Sequence, residues 1–252
     1  MHDAGFLLIS LRPVGGHDAL RRAAARDGGQ VLAMSPWRII EHDDAETRRQ
    51  LREALAVQHI VFTSPAAVRA AARLLTLRAK TAQHVFGVGE GTRRALQRAG
   101  VADAQSPTRM DSEGLLALPD IAALRRGDVV GLVTAPGGRG EIVRQLTARG
   151  VGIMRADVYA RAPVSIPKAG WQRLQQALDD DASPIYLALT SGEAFTELLA
   201  QRPATLAKPL WDVTVLAASE RLATLARAHG FHRIKIAASA RPQDVVAAIN
   251  AA

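Results

Sequence analysis

HIVFTSPAAVRAAARLL at 59–75 returns in kind as IYLALTSGEAFTELLA at 185–200. Each is an apolar run that ends in Thr-Ser and passes at once into apolar residues at three and four spacing. A short apolar run bounded by a turn reads as a buried strand, and the spacing after it is that of an amphipathic helix. The two pairs, Thr63-Ser64 and Thr190-Ser191, lie about half a chain apart. A strand–serine–helix unit present twice predicts two similar α/β lobes, with two similar helix mouths turned to a common ligand.

The repeat widens on either side. GVGEGTRRALQRAG at 87–100 aligns without gaps to AASERLATLARAHG at 217–230. LISLRPVGGHDALRRAAARDGGQV at 8–31 resembles GLVTAPGGRGEIVRQLTARGVGI at 131–153. The order is therefore A, B, A′, B′. Further apolar runs at 6–10, 85–89, 129–134, 213–217 and 233–237 read as buried parallel strands between helices. In GTRRALQRAG, Ala95, Leu96 and Ala99 form the stripe and Gly100 the stop; in ERLATLARAHG, Leu222, Leu225 and Ala226 form it and Gly230 stops it. This alternation predicts an α/β fold of parallel sheets flanked by helices. One stretch, DSEGLLALPDIAAL at 111–124, reads as a helix capped by Asp111 or Ser112 and has no evident counterpart.

VLAMSPWRIIEHDD at 31–44 and IMRADVYARAPVSIP at 153–167 are extended, partly apolar and interrupted by Pro, which belongs at edges and linkers. Read as two crossing strands, near 37–39 and 159–165, they give a discontinuous first lobe, 1–36 plus 166–252, and a second lobe, 40–158. A plain division near residue 125 is the alternative.

Composition limits the chemistry. There is no Cys, which excludes a disulfide scaffold, a thiolate nucleophile and a Cys-type zinc site, and points to a reducing cytoplasm. No apolar run reaches transmembrane length, and FLLIS at 6–10 lacks the flanks of a signal peptide. The net charge is +8, carried almost wholly by Arg, since Lys occurs only at 80, 168, 208 and 235. The skew fits either Arg-rich codon usage or a site for a polyanion, because guanidinium groups grip carboxylate and phosphate bidentately. Dispersed arginines, few aromatics and the lack of a binding motif argue against nucleic acid.

Ser64 before Pro65, and Ser191 with Glu193 in the first turn, each read as ordinary N-caps. At equivalent places in two lobes they also mark helix N-termini at the carboxyl ends of strands. That is where open α/β sheets bind ligands, and free N–H groups there favour anions. GVGEGT at 87–92 has Thr92 where a dinucleotide loop needs its last Gly, so it reads as a tight turn. Thr92 and Ser219 then offer hydroxyls to a carboxylate. APGGRG at 135–140 is either a solvated loop or one that brings Arg139 and backbone N–H groups to an anion. Tyr159 lies in the second crossing, either facing a cleft with its phenol or serving as a half-buried strand aromatic. The seven His do not cluster, and no Ser-His-Asp set or carboxylate pair stands out.

Together these segments resemble uroporphyrinogen-III synthase over nearly the whole chain. The resemblance is carried by LRP at 11–13, VFTSPAAV at 61–68, GVGEGTRRALQRAG, SEGLL at 112–116, GGRGEIVRQLTARG at 137–150, VYAR at 158–161, LTSGEAF at 189–195 and SERLATLARAHG at 219–230. It implies two α/β lobes joined by two extended strands, and a hydro-lyase of porphyrin and haem biosynthesis. The implied substrate is hydroxymethylbilane, a linear tetrapyrrole with many carboxylates. It loses its terminal hydroxyl as water, leaving an azafulvene cation, and closes through a spiro intermediate with the last ring inverted. No cofactor or metal is implied; neither nucleic acid nor membrane is expected as a partner, and a monomer is expected. Tyr159 matches the tyrosine that assists hydroxyl departure, and Ser64, Thr92 and Ser191 match cleft hydroxyls. Arg12, Glu113 and Arg139 match polar positions. Where some members carry paired Thr this chain has Arg221 and Leu222; Ser219 is then the expected hydroxyl, Arg221 a cation for a carboxylate, and Leu222 an inward packer. A non-catalytic two-lobed small-molecule-binding module is the alternative reading.

Overall fold

The computed structural model describes residues 5–109, 111–137, 140–180, 183–204 and 210–250. The chain divides into two compact units. Unit 1 takes the residues through Arg38 and those from Ala162 onward, and unit 2 is Ile39–Arg161. Unit 1 begins with β1 (Leu7–Ser10), α1 (Asp18–Arg26) and β2 (Gln30–Ala33), and β3 (Trp37–Glu41) leads out of it. Unit 2 runs α2 (Ala45–Ala54), β4 (His59–Phe62), α3 (Pro65–Leu74), β5 (His84–Gly87), α4 (Glu90–Arg98), α5 (Ser112–Leu116), α6 (Pro119–Ala122), β6 (Val129–Thr134), α7 (Glu141–Ala148) and β7 (Gly152–Asp157). β8 (Tyr159–Pro163) leads back, pairing with β3. Unit 1 resumes with α8 (Lys168–Asp180), β9 (Ile185–Leu189), α9 (Gly192–Gln201), a 3-10 turn (Leu210–Asp212), β10 (Thr214–Ala217), α10 (Glu220–Ala228), β11 (Ile234–Ile236) and α11 (Pro242–Ala247). No helix among the described residues is long and apolar enough to cross a membrane.

The sheet of unit 1 has the order β11-β10-β9-β1-β2, and that of unit 2 the order β5-β4-β6-β7. Their strand pairs are parallel. An isolated parallel bridge, Phe86 to Gln105, continues unit 2 beyond β5, where β11 lies in unit 1. The two sheets thus share one strand order, with β9 standing for β4 and β1 for β6, as the A-B-A′-B′ repeat requires.

Parallel sheets are buried on both faces, and the alternation of side chains shows it. In unit 1, Ile9, Leu187, Leu189 and Val215 pack against α8, α9 and α10 through Trp171, Leu174, Phe195, Leu198 and Leu222. On the other face Leu8, Ala188 and Leu216 meet Leu20 of α1 and Val245 and Val246 of α11. In unit 2, Ile60, Phe62, Val85 and Val133 pack against α2, α3 and α4. Val61, Phe86, Val130 and Leu132 meet α5, α6 and α7 on the reverse. At the middle of β6, Gly131 lets the end of α2 come in close, since a Cβ there would stand 1.9 Å from the carbonyl oxygen of Ala54.

The caps follow the sequence. The side chains of Asp44, Ser64, Ser191 and Ser219 accept from the N–H groups of Thr47, Ala67, Ala194 and Leu222 at the starts of α2, α3, α9 and α10. Gly100 and Gly230, the expected stops, have φ of 100° and 90°, a left-handed turn that Gly enters without a Cβ penalty. The stretch 111–124 departs from expectation twice. It is two short helices rather than one, because Pro119 lacks an N–H and opens a new helix after Leu118. It also has a counterpart, α11. α5 packs on α7 as α11 packs on α1, and both fill the same face of their sheets.

Candidate active site in unit 2

In unit 2 the chain leaves β4 for β5 on one side, and leaves β6 for β7 on the other. The strand order reverses between β4 and β6, and at such a point the carboxyl ends of parallel strands leave a crevice. A cavity of about 190 Å³ lies there. Thr63 and Ser64 line it from the end of β4, Thr134 and Ala135 from the end of β6, and Ser112, Glu141, Arg155, Tyr159 and Arg161 complete its polar wall. Pockets that enclose a drug-sized ligand run to about 300–1,000 Å³. This one is smaller than that range.

Its hydroxyls are held in two pairs. Phe62 and Val133 are neighbours in the sheet register, which sets Thr63 beside Thr134 on the next rung, with their hydroxyl oxygens 2.8 Å apart. Ser64 caps α3, its Oγ accepting from the Ala67 N–H at 3.1 Å, and lies 3.0 Å from the phenolic oxygen of Tyr159. Tyr159 comes to Ser64 because the Val158 N–H donates to the Thr134 carbonyl, seating the chain after β7 beside the end of β6. Its ring is only 2 % exposed and belongs to the core that backs α2, α3 and α4. The cleft-facing or half-buried aromatic expected from the sequence is thus a core side chain whose hydroxyl end meets the cavity. Arg155 forms an ion pair with Asp157 at 2.9 Å and donates to the Ala135 carbonyl at 3.2 Å, bracing the loop after β6.

The other candidates in unit 2 stand apart from this cavity. Thr92, in the first turn of α4, is 3 % exposed and does not line it. It occupies the repeat position of Leu222, also 3 % exposed, so its side chain packs inward. Glu113, in the first turn of α5, pairs with Arg109 at 3.9 Å, and its neighbour Ser112 reaches the cavity wall in its place. Arg139 lies outside the described residues.

In unit 1 the reversal falls between β9 and β1. Ser191 caps α9 at 3.3 Å from the Ala194 N–H, and Ser219 caps α10 at 3.4 Å from that of Leu222. The Arg221 guanidinium lies beside the start of α9, 3.8 Å from where a Cβ on Gly192 would stand. Leu222 packs into the core, as expected. Arg12 is half-buried and donates to the Ala240 carbonyl at 3.2 Å; burial lowers its pKa. Beneath it is a buried relay that the sequence did not disclose. Ser35 donates to the Arg12 carbonyl at 2.7 Å, so its oxygen receives the Nε2 proton of His17 at 2.7 Å, and Nδ1 of His17 accepts from Ser10 at 2.9 Å. Burial, aided by the charges of Arg21 and Arg12 and opposed by Asp18, pushes the His17 pKa down.

Two like parallel α/β units with serine-capped helices after their central strands, one of them opening on a hydroxyl-rich cavity at its switch point, define a class of duplicated α/β proteins. The comparisons narrow the class. A mutant form of uroporphyrinogen III synthase from Thermus thermophilus matches at 18% identity with a TM-score of 0.60, over 98% of this chain and 97% of that one. The Helicobacter pylori uroporphyrinogen-III synthetase matches at 12% identity with a TM-score of 0.58, over 97% of both. No curated protein sequence matches. The family model described as uroporphyrinogen-III synthase HemD matches residues 18–247. The chain belongs to the uroporphyrinogen-III synthase family, hydro-lyases of tetrapyrrole biosynthesis.

Proposed function

We propose that this chain binds hydroxymethylbilane with its terminal hydroxymethyl-pyrrole in the cavity between β4 and β6, and there promotes loss of the hydroxyl and inverted closure of the ring. The observation that carries this is the Ser64–Tyr159 hydroxyl pair, 3.0 Å apart on the wall of that cavity. The α3 N-terminus that Ser64 caps and the guanidinium groups of Arg155 and Arg161 offer positive partners to the carboxylates of that end. Arg12, Ser191, Ser219 and Arg221 are proposed as the carboxylate contacts of unit 1. A polycarboxylate held at many points is restricted to few folded shapes. Selecting the shape that closes with inversion is catalysis by orientation, and it asks little of acid–base groups. We take the protein to act as a cytoplasmic monomer.

Freshly prepared hydroxymethylbilane, incubated with the purified protein, is expected to give the inverted isomer in excess over the non-inverted one. Formation of the non-inverted isomer alone, at the rate seen without protein, would refute the proposal.

A further inference from the structure

The Ser64–Tyr159 contact has a direction, and we infer that Ser64 is the group that meets the departing hydroxyl while Tyr159 acts through it. This rests on the functional reading above. Both residues line the cavity, but Tyr159 is 2 % exposed with its ring in the core, whereas Ser64 is half-buried and is the more accessible of the two. A phenol is a far stronger acid than an alkyl hydroxyl, so in a pair 3.0 Å apart the phenol is the donor and the serine oxygen the acceptor. That oxygen already accepts from the Ala67 N–H at 3.1 Å. With both lone pairs engaged, the only function left to Ser64 is its own proton, and the open side of the residue is the cavity.

The step balances. The hydroxymethyl C–O bond breaks with its electron pair on oxygen. That oxygen takes the Ser64 proton and leaves as water, while Ser64 takes the Tyr159 proton. The phenolate left at Tyr159 is matched by the azafulvenium charge on the pyrrole. When the last ring carbon to be joined gives up its hydrogen as a proton, the proton returns through Ser64 to Tyr159. Tyr159 is then a positioning residue, and Ser64 the catalytic one.

A double-mutant cycle on kcat for the inverted isomer tests this. Tyr159→Phe removes the phenol. Ser64→Asn removes the hydroxyl and keeps a capping oxygen, so α3 retains its start, and Ser64→Thr retains both. Each of the first two is expected to lower kcat about 100-fold, the lower end of what general acid catalysis contributes, with KM little changed. The double variant should be no slower than the slower single, Ser64→Thr should keep most activity, and the wild-type rate in mixed H₂O and D₂O should bow as for two protons in flight. Losses that multiply in the double variant, or full activity in Ser64→Asn, overturn the relay while the inverted product of the wild type upholds the functional reading. A wild type that yields only the non-inverted isomer overturns both.

Discussion

Glu90, in the first turn of α4, is gripped by Arg93 and Arg94 at 2.6 and 2.8 Å. The Arg93 hydrogen bonds, more than the Arg94 contact, hold its carboxyl at about 2. The unfolded chain titrates near 4.3, so the pair stabilises the fold above that pH and is lost as pH falls through 4 toward 2. Because the pair is part-buried but still open to solvent, Glu90→Gln should cost about 1 kcal/mol at pH 7 and almost nothing at pH 2, as read by urea unfolding at both. Ser64 was legible as a cap, because Ser-Pro after an apolar run starts helices. Its contact with Tyr159 was not, since 95 positions separate the two. Thr92 is buried for a physical reason visible in the repeat: its partner position holds Leu222, and a position that buries Leu in one copy buries Thr in the other.

Elements meet most closely where glycines allow it. Gly131→Ala puts a methyl group against the Ala54 carbonyl and forces α2 off the sheet. We expect a loss of about 2–3 kcal/mol and a fall of roughly 5–10 °C in Tm. Gly91→Ala, in the first turn of α4 with nothing nearer than 3.6 Å, should act oppositely and gain about 0.4–1 kcal/mol by reducing the freedom of the unfolded chain. Paired melting curves check both signs, and a stabilised Gly131→Ala would contradict the close packing of α2 on β6. The strands and major helices were legible because apolar runs and three-four spacing are local signals. The correspondence of α5 and α6 with α11 was not, because SEGLL and PQDVVA share no residues in order and are related only by the sheet face they cover.

Over the whole molecule, the repeat order in the sequence is what made the strand order readable: two copies of each half-unit, interleaved, can only build two like sheets if each sheet draws one of each. The switch-point crevices follow from that order, while the residues that line them come from loops whose conformation no periodicity encodes. Charge is also distributed at this scale. The net charge is +8, and several arginines are spent on helix neighbours, as in Arg49 with Glu46 and Glu53, and Arg144 with Glu141. The remaining excess attracts a polycarboxylate through solvent, an effect with a reach of about 10 Å at 0.1 M salt and 3 Å at 1 M. KM for hydroxymethylbilane should therefore rise several-fold between these salt concentrations with kcat nearly constant, and a salt-independent KM would show that the arginines do not draw the substrate in. The interleaving has one more consequence, in time rather than space. β1 pairs with β9, whose first residue is Ile185. At about 5–20 residues per second, the ribosome releases the first strands of unit 1 on the order of ten seconds before their partner exists. Unit 2 is contiguous and has its full sheet in hand by then. The earliest-made strands are thus among the last to become native, and until β9 emerges they carry an open edge of the kind that invites pairing with another chain.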